Sequence, residues 1–246
     1  MAFILLFGVA IWAGAQNALA GGGSFLTLPT LMLTGMDALA ANVTSCVALF
    51  PAQVATGWTG RKLATGANGL SLRALFAISI VGGAVGAAVL LATPRGLFAQ
   101  LVPWLVLFAT IVFAWGSFFR KPGETHSHLG APGAAFAQFL ISIYGGYFGG
   151  GIGFLMVAAL TMAGQGVRIA AATKNVLAGV MNASAVAIFL FSPDLHWPQA
   201  LVASAGATIG GIAGGLLIHH IDEKLLRIFV IVIGAALTVG LFLKAP

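Results

Sequence analysis

The chain has 246 residues, of which 60% are hydrophobic and only 7% are charged. About a quarter of the residues of a soluble domain are charged, so this composition excludes an ordinary soluble globular protein. The formal net charge of +6 comes from scattered cations rather than from a basic cluster interleaved with aromatic residues, which argues against nucleic acid as a partner. The composition predicts an integral membrane protein surrounded by the lipid bilayer.

The first predicted element is an apolar run without charged residues over positions 1–36. As a straight helix it would measure about 54 Å at roughly 1.5 Å per residue, against a hydrocarbon core of about 30 Å. The glycines Gly21–Gly23 interrupt the run, so it is either a broken helix that still crosses or a re-entrant hairpin. The stretch around Ala18-Leu19-Ala20 resembles a signal-peptide cleavage site. It lacks a basic leader and has a counterpart later in the chain, so we expect it to be retained.

Three predicted spans follow the first run, and a polar segment then separates them from a second half of the same design. We predict a first repeat at 1–119, a cytoplasmic linker at 120–131 and a second repeat at 132–246, which together form one membrane domain. The six predicted spans lie at about 38–60, 71–93, 97–119, 170–191, 198–219 and 225–243.

The two halves repeat each other. Gly21–Gly23 reappears 128 residues later as Gly149–Gly151, and positions 81–86 reappear at the same spacing as 209–214. Asn42 matches Asn175, 133 residues further on. Internal repeats are a common construction of secondary transporters. Glycines spaced four apart, Gly82 and Gly86 in one of these segments and Gly206, Gly210 and Gly214 in and before its repeat, indicate close helix packing.

The distribution of the 11 Lys and Arg residues distinguishes the two readings of the long runs. If both long runs cross, six cations face one side and five the other. If both are re-entrant, nine face one side and only Arg95 and Lys244 face the other, as the positive-inside rule prefers. We therefore predict an all-α polytopic membrane protein of two inverted repeats, each a broken, re-entrant helical hairpin plus three transmembrane helices. It would lie in the inner (plasma) membrane with both termini outside.

The glycine breaks mark the predicted binding site. Backbone that leaves the helix at membrane depth persists only where it lines a cavity or is buried in protein. A helix that restarts there directs free N–H groups and its positive dipole end at the gap, which suits an anion. Polar residues inside the apolar runs converge on both breaks, and they include Gln16, Gln53, Tyr144, Tyr147 and Asn182. The predicted substrate-binding residues are Asn17, Gly21, Gly22, Gly23, Ser24, Asn42, Thr44, Ser45, Gly149, Gly150, Gly151, Thr173, Lys174 and Asn175.

Two interpretations of Lys174 remain open at this stage. Its side chain either extends to the membrane interface or points inward and supplies the charge of an anion site. The five acidic residues all lie at run ends or in loops, so no proton relay or cation site at midplane is expected. The pairs His126/His128 and His219/His220 have no evident third ligand, so we expect no metal. No catalytic constellation is present, so we predict neither an enzyme nor a cofactor.

Two segments carry a family resemblance. GAQNALAGGGSFLTLPTLMLTGMDALAANVTS begins at Gly14, and YGGYFGGGIGFLMVAALTMAG begins at Tyr144. They resemble the paired signatures of the TauE/SafE sulfite exporter family, and the resemblance covers nearly the whole chain. It implies export of a small sulfur-containing anion such as sulfite, sulfoacetate or thiosulfate. It also implies a binding region at Gly21–Ser24, Asn42–Ser45, Gly149–Gly153 and Thr173–Asn175.

The expected mechanism is alternating access driven by the membrane potential. Two alternatives belong to other classes: an anion channel with a continuous pore, and a non-transporting membrane assembly protein whose glycines only pack helices. Which sulfur anion is carried, and the oligomeric state, do not follow from the sequence.

Overall fold

The computed structural model describes residues 2–19, 22–118, 129–217 and 223–244. Within these ranges the chain is built from α-helices and contains no β-strand, so the all-α prediction is confirmed. The helices are α1 (Ala2–Leu19), α2 (Ser24–Leu33), α3 (Ala38–Gly60), α4 (Leu72–Ala92), α5 (Arg95–Phe118), α6 (Ala131–Tyr147), α7 (Ile152–Met162), α8 (Val167–Phe189), α9 (Trp197–Leu217) and α10 (Glu223–Lys244).

Helix lengths follow the duplication. The first and sixth helices have 18 and 17 residues, the second and seventh have 10 and 11, and α3 and α8 both have 23. The fourth and ninth both have 21, and the fifth and tenth have 24 and 22. Most of the predicted linker, together with Gly21 and the two histidine pairs, lies outside the described residues.

The structure contains long apolar helices where the sequence predicted spans. In the part of the chain that it describes, four helices are long and apolar enough to cross a membrane: Ala38–Gly60, Leu72–Ala92, Arg95–Trp115 and Val167–Phe189. The predicted spans 198–219 and 225–243 coincide with α9 and α10, which are not among these four, so their crossing stays a prediction. A helix as short as α2, about 15 Å, cannot span a core of about 30 Å.

Local chemistry explains several helix starts. The Asp37 carboxylate accepts hydrogen bonds of 3.0 Å from the backbone N–H groups of Leu39 and Ala40 and so caps α3. Ser71 caps α4 in the same way, through a 3.1 Å bond from the Ala74 N–H. Such caps satisfy N–H groups that have no partner within the first turn.

The two ends of the helices differ in their charged residues. Arg95, at the start of α5, forms ion pairs with Asp37 before α3 and with Asp194 before α9. We call this the acidic end. At the other, basic end lie Arg61, Lys62, Arg73 and Arg168. There the Thr65 N–H, in the loop after α3, donates a 3.2 Å bond to the Thr173 hydroxyl.

The first helix of each half packs along the fourth helix of the other half, α1 on α9 and α6 on α4. A Cβ on Gly206 would lie 2.6 Å from the Phe7 carbonyl oxygen, and one on Gly214 would lie 2.7 Å from the Ala15 Cα. The residue numbers of the contacting pairs increase together along both helices, so α1 and α9 run parallel. The glycine spacing therefore serves helix packing, as the sequence indicated.

Helices α4 and α6 also run parallel and pack through glycines. A Cβ on Gly82 would lie 3.0 Å from the Phe139 carbonyl oxygen, and a Cβ on Gly86 would lie 2.8 Å from the Tyr147 nitrogen. The third helices, α3 and α8, cross antiparallel at the centre of the molecule. A Cβ on Gly57 would lie 3.2 Å from the Asn175 carbonyl oxygen, and one on Gly60 3.3 Å from that of Ala172.

Candidate functional site

The break between α1 and α2 is a tight, buried turn. Gly22 has a φ of +84°, a conformation that L side chains rarely adopt. The fully buried Gln16 donates a 3.0 Å bond from its amide to the Gly22 carbonyl oxygen. The chain therefore restarts a helix at Ser24 with the Gly22 carbonyl oxygen bonded within the protein.

The break between α6 and α7 is built from glycines in the same region of conformational space. Gly149 and Gly151 have φ values of +80° and +73°. Phe148 still closes the end of α6 through a 2.9 Å bond to the Tyr144 carbonyl oxygen. Helix α7 begins directly after the left-handed Gly151, and α2 begins two residues after the left-handed Gly22. The N–H groups of Phe25, Leu26 and Phe154 donate to the carbonyl oxygens of Gly22, Gly23 and Gly151, so each glycine turn satisfies part of the helix start that follows it.

Polar side chains of α3 and α8 meet between these two breaks. The Asn182 side-chain amide donates a hydrogen bond to the Gln53 carbonyl oxygen Oε1. The thiol of Cys46 lies 3.8 Å from the Asn182 Oδ1. This pair of amides occupies the crossing of the two central helices.

On the basic-end side of the amide pair lies a small cavity, which we call the inner cavity. The volume open to the centre of a water molecule is ≈ 30 Å³, room for about two waters. The first turns of α2 and α7 both contribute to its wall. Its lining is Asn17, Gly22, Ser24, Gln53, Thr56, Gly149, Ile152, Gly153, Lys174, Asn175 and Ala178.

On the acidic-end side lies a second cavity of ≈ 20 Å³, which we call the outer cavity. It shares Ser24, Gln53 and Gly149 with the inner cavity. The full lining is Ser24, Asn42, Ser45, Cys46, Leu49, Gln53, Phe148, Gly149 and Asn182. The predicted single site is thus divided into two adjoining spaces.

Lys174 points inward. Its side chain is buried, with 9% of the residue exposed, and it lines the inner cavity. Lys174 has no hydrogen bond or ion pair with any residue that the structure describes. The two ion pairs among the described residues are both formed by Arg95. A buried ammonium without a counter-ion is costly unless something else supplies the negative charge.

The structure brings together eight of the predicted site residues and places the other described ones around them; Gly21 lies outside the described residues. Asn17, Gly22, Lys174 and Asn175 line the inner cavity, Asn42 and Ser45 line the outer one, and Ser24 and Gly149 line both. The others do not line either cavity within the described residues: Gly23 packs against Ala13, Thr44 and Thr173 accept bonds from the N–H groups of His196 and Thr65, and Gly150 and Gly151 shape the turn.

Three lining residues with amide or hydroxyl side chains were not among the predicted binding residues: Gln53, Thr56 and Asn182. Gln53 and Asn182 interrupt apolar runs, which was the available signal. At the spacing that relates Asn42 to Asn175, Gln53 matches Val186 and Asn182 matches Leu49. Because neither amide is duplicated, the repeat did not single them out.

The fold and site define a multi-pass membrane transporter, and the comparisons with known proteins give its family. The model of the sulfite exporter TauE/SafE family matches residues 6–241. The chain belongs to the TauE/SafE sulfite exporter family, whose members are transporters rather than enzymes.

Three relatives cover nearly the same length. A probable membrane transporter protein of Haemophilus influenzae is 28% identical over 95% of this chain and 92% of its own. The probable membrane transporter protein YfcA of Escherichia coli K12 is 26% identical over 96% and 88%. The probable membrane transporter protein ORF9 of a Sinorhizobium species is 28% identical over 96% and 90%. No solved structure matches the chain.

Proposed function

We propose that this transporter exports a small sulfur-containing oxyanion, sulfite or an organosulfonate such as sulfoacetate. The observation that carries the proposal is the buried, unpaired ammonium of Lys174 in the wall of the inner cavity. A bound anion would provide the missing counter-charge. None of the residues that line either cavity is acidic, so nothing in the described lining competes for that role.

Neutral donors complete an oxyanion site. The inner cavity receives the side chains of Asn17, Asn175 and Thr56 and the first turns of two helices. N–H groups at a helix start favour anions through hydrogen bonds and the helix dipole. A pyramidal oxyanion accepts several such bonds at once, through separate oxygen atoms. This supports an oxyanion as the class of substrate.

The helix directions support inverted repeats. The first hairpin, α1–α2, starts at the acidic end, runs beside α9, and leads back to Asp37 at the same end. The second hairpin, α6–α7, starts at the basic end, runs beside α4, and leads back to Arg168 at that end. We infer that both hairpins are re-entrant and enter from opposite sides. The positive-inside rule then puts the basic end in the cytoplasm and both termini outside the inner membrane.

Alternating access suits cavities this small. Neither space admits an oxyanion with its hydration water, so binding and release require the hairpin tips or the central helices to separate on one side at a time. Export of a monovalent anion from a negative-inside cell is favoured by about 2.3 kcal/mol per 100 mV. No coupling ion is then needed.

Flux of radiolabelled sulfite into proteoliposomes under an imposed membrane potential tests the proposal, with sulfate and acetate as competitors. Saturable, potential-dependent flux of sulfite or a sulfonate is expected. Flux that does not saturate, with single-channel currents, would instead identify a channel. Folded protein that moves no sulfur anion would refute the proposed substrate class.

A further inference from the structure

The inner and outer cavities contain two pairs of lining residues that the duplication relates, but their charges differ. Asn175 in the inner cavity corresponds to Asn42 in the outer one, and Ala178 corresponds to Ser45. Lys174 corresponds to Ala41, so the outer cavity has no cation in its described lining. One of the two cavities is therefore charged, and the other is neutral in its described lining.

Gln53 lies between the compartments and lines both of them. Its side-chain oxygen accepts the bond from Asn182, which anchors it across the helix crossing. Its amide nitrogen has no acceptor among the described residues, although it borders two polar spaces. A donor held at this junction can bond an anion on either side by a change of rotamer.

We propose that the Gln53–Asn182 amide pair is a gate between two anion sites in series, an inner site with Lys174 and a neutral outer site with Asn42 and Ser45. This inference rests on the proposed function, because it takes the two cavities as the path of a small oxyanion. We take this structure as the closed state of the gate, because the pair joins α3 to α8 and Gln53 stands in the wall that both cavities share.

The unequal charges give the two sites different affinities, while the membrane potential sets the direction of net flux. An anion arriving from the basic end meets the ammonium of Lys174 and the helix starts, so it binds there at low concentration. Passing Gln53, it enters a site that offers only neutral donors and holds it less tightly. Weak binding at the exit favours release at the acidic end, which is the behaviour expected of an exporter.

The chain contains its own reporter for this gate. Cys46 is the only cysteine in the sequence, and it lines the outer cavity beside Asn182. On the proposed path, a charged thiol reagent applied from the basic end reaches Cys46 through the inner cavity and past Gln53. The labelling rate of Cys46 therefore measures the gate without requiring any knowledge of the substrate.

The test is the rate at which an anionic, membrane-impermeant methanethiosulfonate labels Cys46 of the full-length protein in inside-out vesicles. Gln53→Ala should accelerate labelling from the basic end at least tenfold, and Asn182→Ala should do the same if the first variant folds poorly. Gln138→Ala is the matched control, because Gln138 forms a buried 2.9 Å bond with Ser79 across α4 and α6, away from both cavities. Cys46→Ala sets the background.

Two results would overturn the gate: unchanged labelling in both gate variants, or equal acceleration in Gln138→Ala, which would indicate general loosening. The substrate proposal fails separately. If the parent carries no sulfur anion but Gln53→Ala still exposes Cys46, the gate stands and only the identity of the permeating ion is wrong.

Discussion

The side-chain amide of Asn42 donates a 3.0 Å hydrogen bond to the carbonyl oxygen of Tyr147, the last residue of α6. This bond fixes the wall of the outer cavity to the tip of the second hairpin. Its counterpart Asn175 lines the inner cavity, and its side chain has no such bond within the part of the chain described. The two asparagines therefore share a predicted role in binding but differ in their structural role.

Substitution of each by leucine should separate these roles. Asn42→Leu leaves the Tyr147 carbonyl without a partner, at a cost of about 1–3 kcal/mol, and should lower both thermal stability and sulfite flux. Asn175→Leu should lower flux at least tenfold with little loss of stability. Flux assays and thermal unfolding in detergent measure both effects, and normal flux in the two variants would contradict the site assignment.

Replacement of Lys174 should move stability and activity in opposite directions. Lys174→Met removes a buried charge that has no described partner, so the melting temperature should rise, by roughly 2–4 °C per kcal/mol gained. Saturable sulfite flux should disappear with the counter-charge. Lys62→Met, in the exposed loop at the basic end, is the control and should alter neither property substantially. A Lys174→Met protein with unchanged flux and affinity would refute the anion site.

The contact between α1 and α9 predicts a strong position dependence among glycines. A Cβ on Gly210 would overlap the Ile11 carbonyl oxygen, which is backbone and cannot move aside. Gly210→Ala should therefore destabilise the protein by about 1–3 kcal/mol, the usual cost of overpacking. Gly240 has nothing within 4 Å of its Cβ position, so Gly240→Ala should be harmless. Equal melting temperatures for the two variants would disprove the packing.

The proposed topology predicts which loops impermeant reagents reach. In a Cys46→Ala background, a cysteine at Lys62 should be labelled only from the cytoplasmic side, and one at His196 only from outside. The reason is that these residues lie at opposite ends of the helices, and the basic end should face the cytoplasm. Labelling of both from one side would exclude three crossings per half.

The architecture could be read from the sequence to a large extent because it is set by local and repeated signals. Apolar run lengths located α3 to within a residue at both ends, and the two glycine clusters located the breaks before α2 and α7. Glycines four apart predicted the close contacts of α4 and α9. Run length, hydropathy and glycine positions are properties of the sequence itself, so they can be recognised without knowledge of the fold.

The division of the site could not be predicted from the sequence. Whether Thr44 and Thr173 face a cavity or bond a loop depends on how α3 and α8 cross, which no local pattern encodes. The inward direction of the Lys174 side chain likewise depends on how α3 and α8 cross. Gln53 and Asn182 were visible as polar interruptions, but only their contact across the crossing shows that they form a pair.

The exchange of packing partners between halves has a consequence for assembly. Since α1 rests on α9, and α6 on α4, neither half has a complete set of neighbours until the last quarter of the chain has been synthesised. Until then α1 lacks its partner, and the glycine-lined face of α4 stays open until α6 has been made. By the same geometry, a single-repeat ancestor would have been complete only as a dimer, each copy lending its first helix to the other.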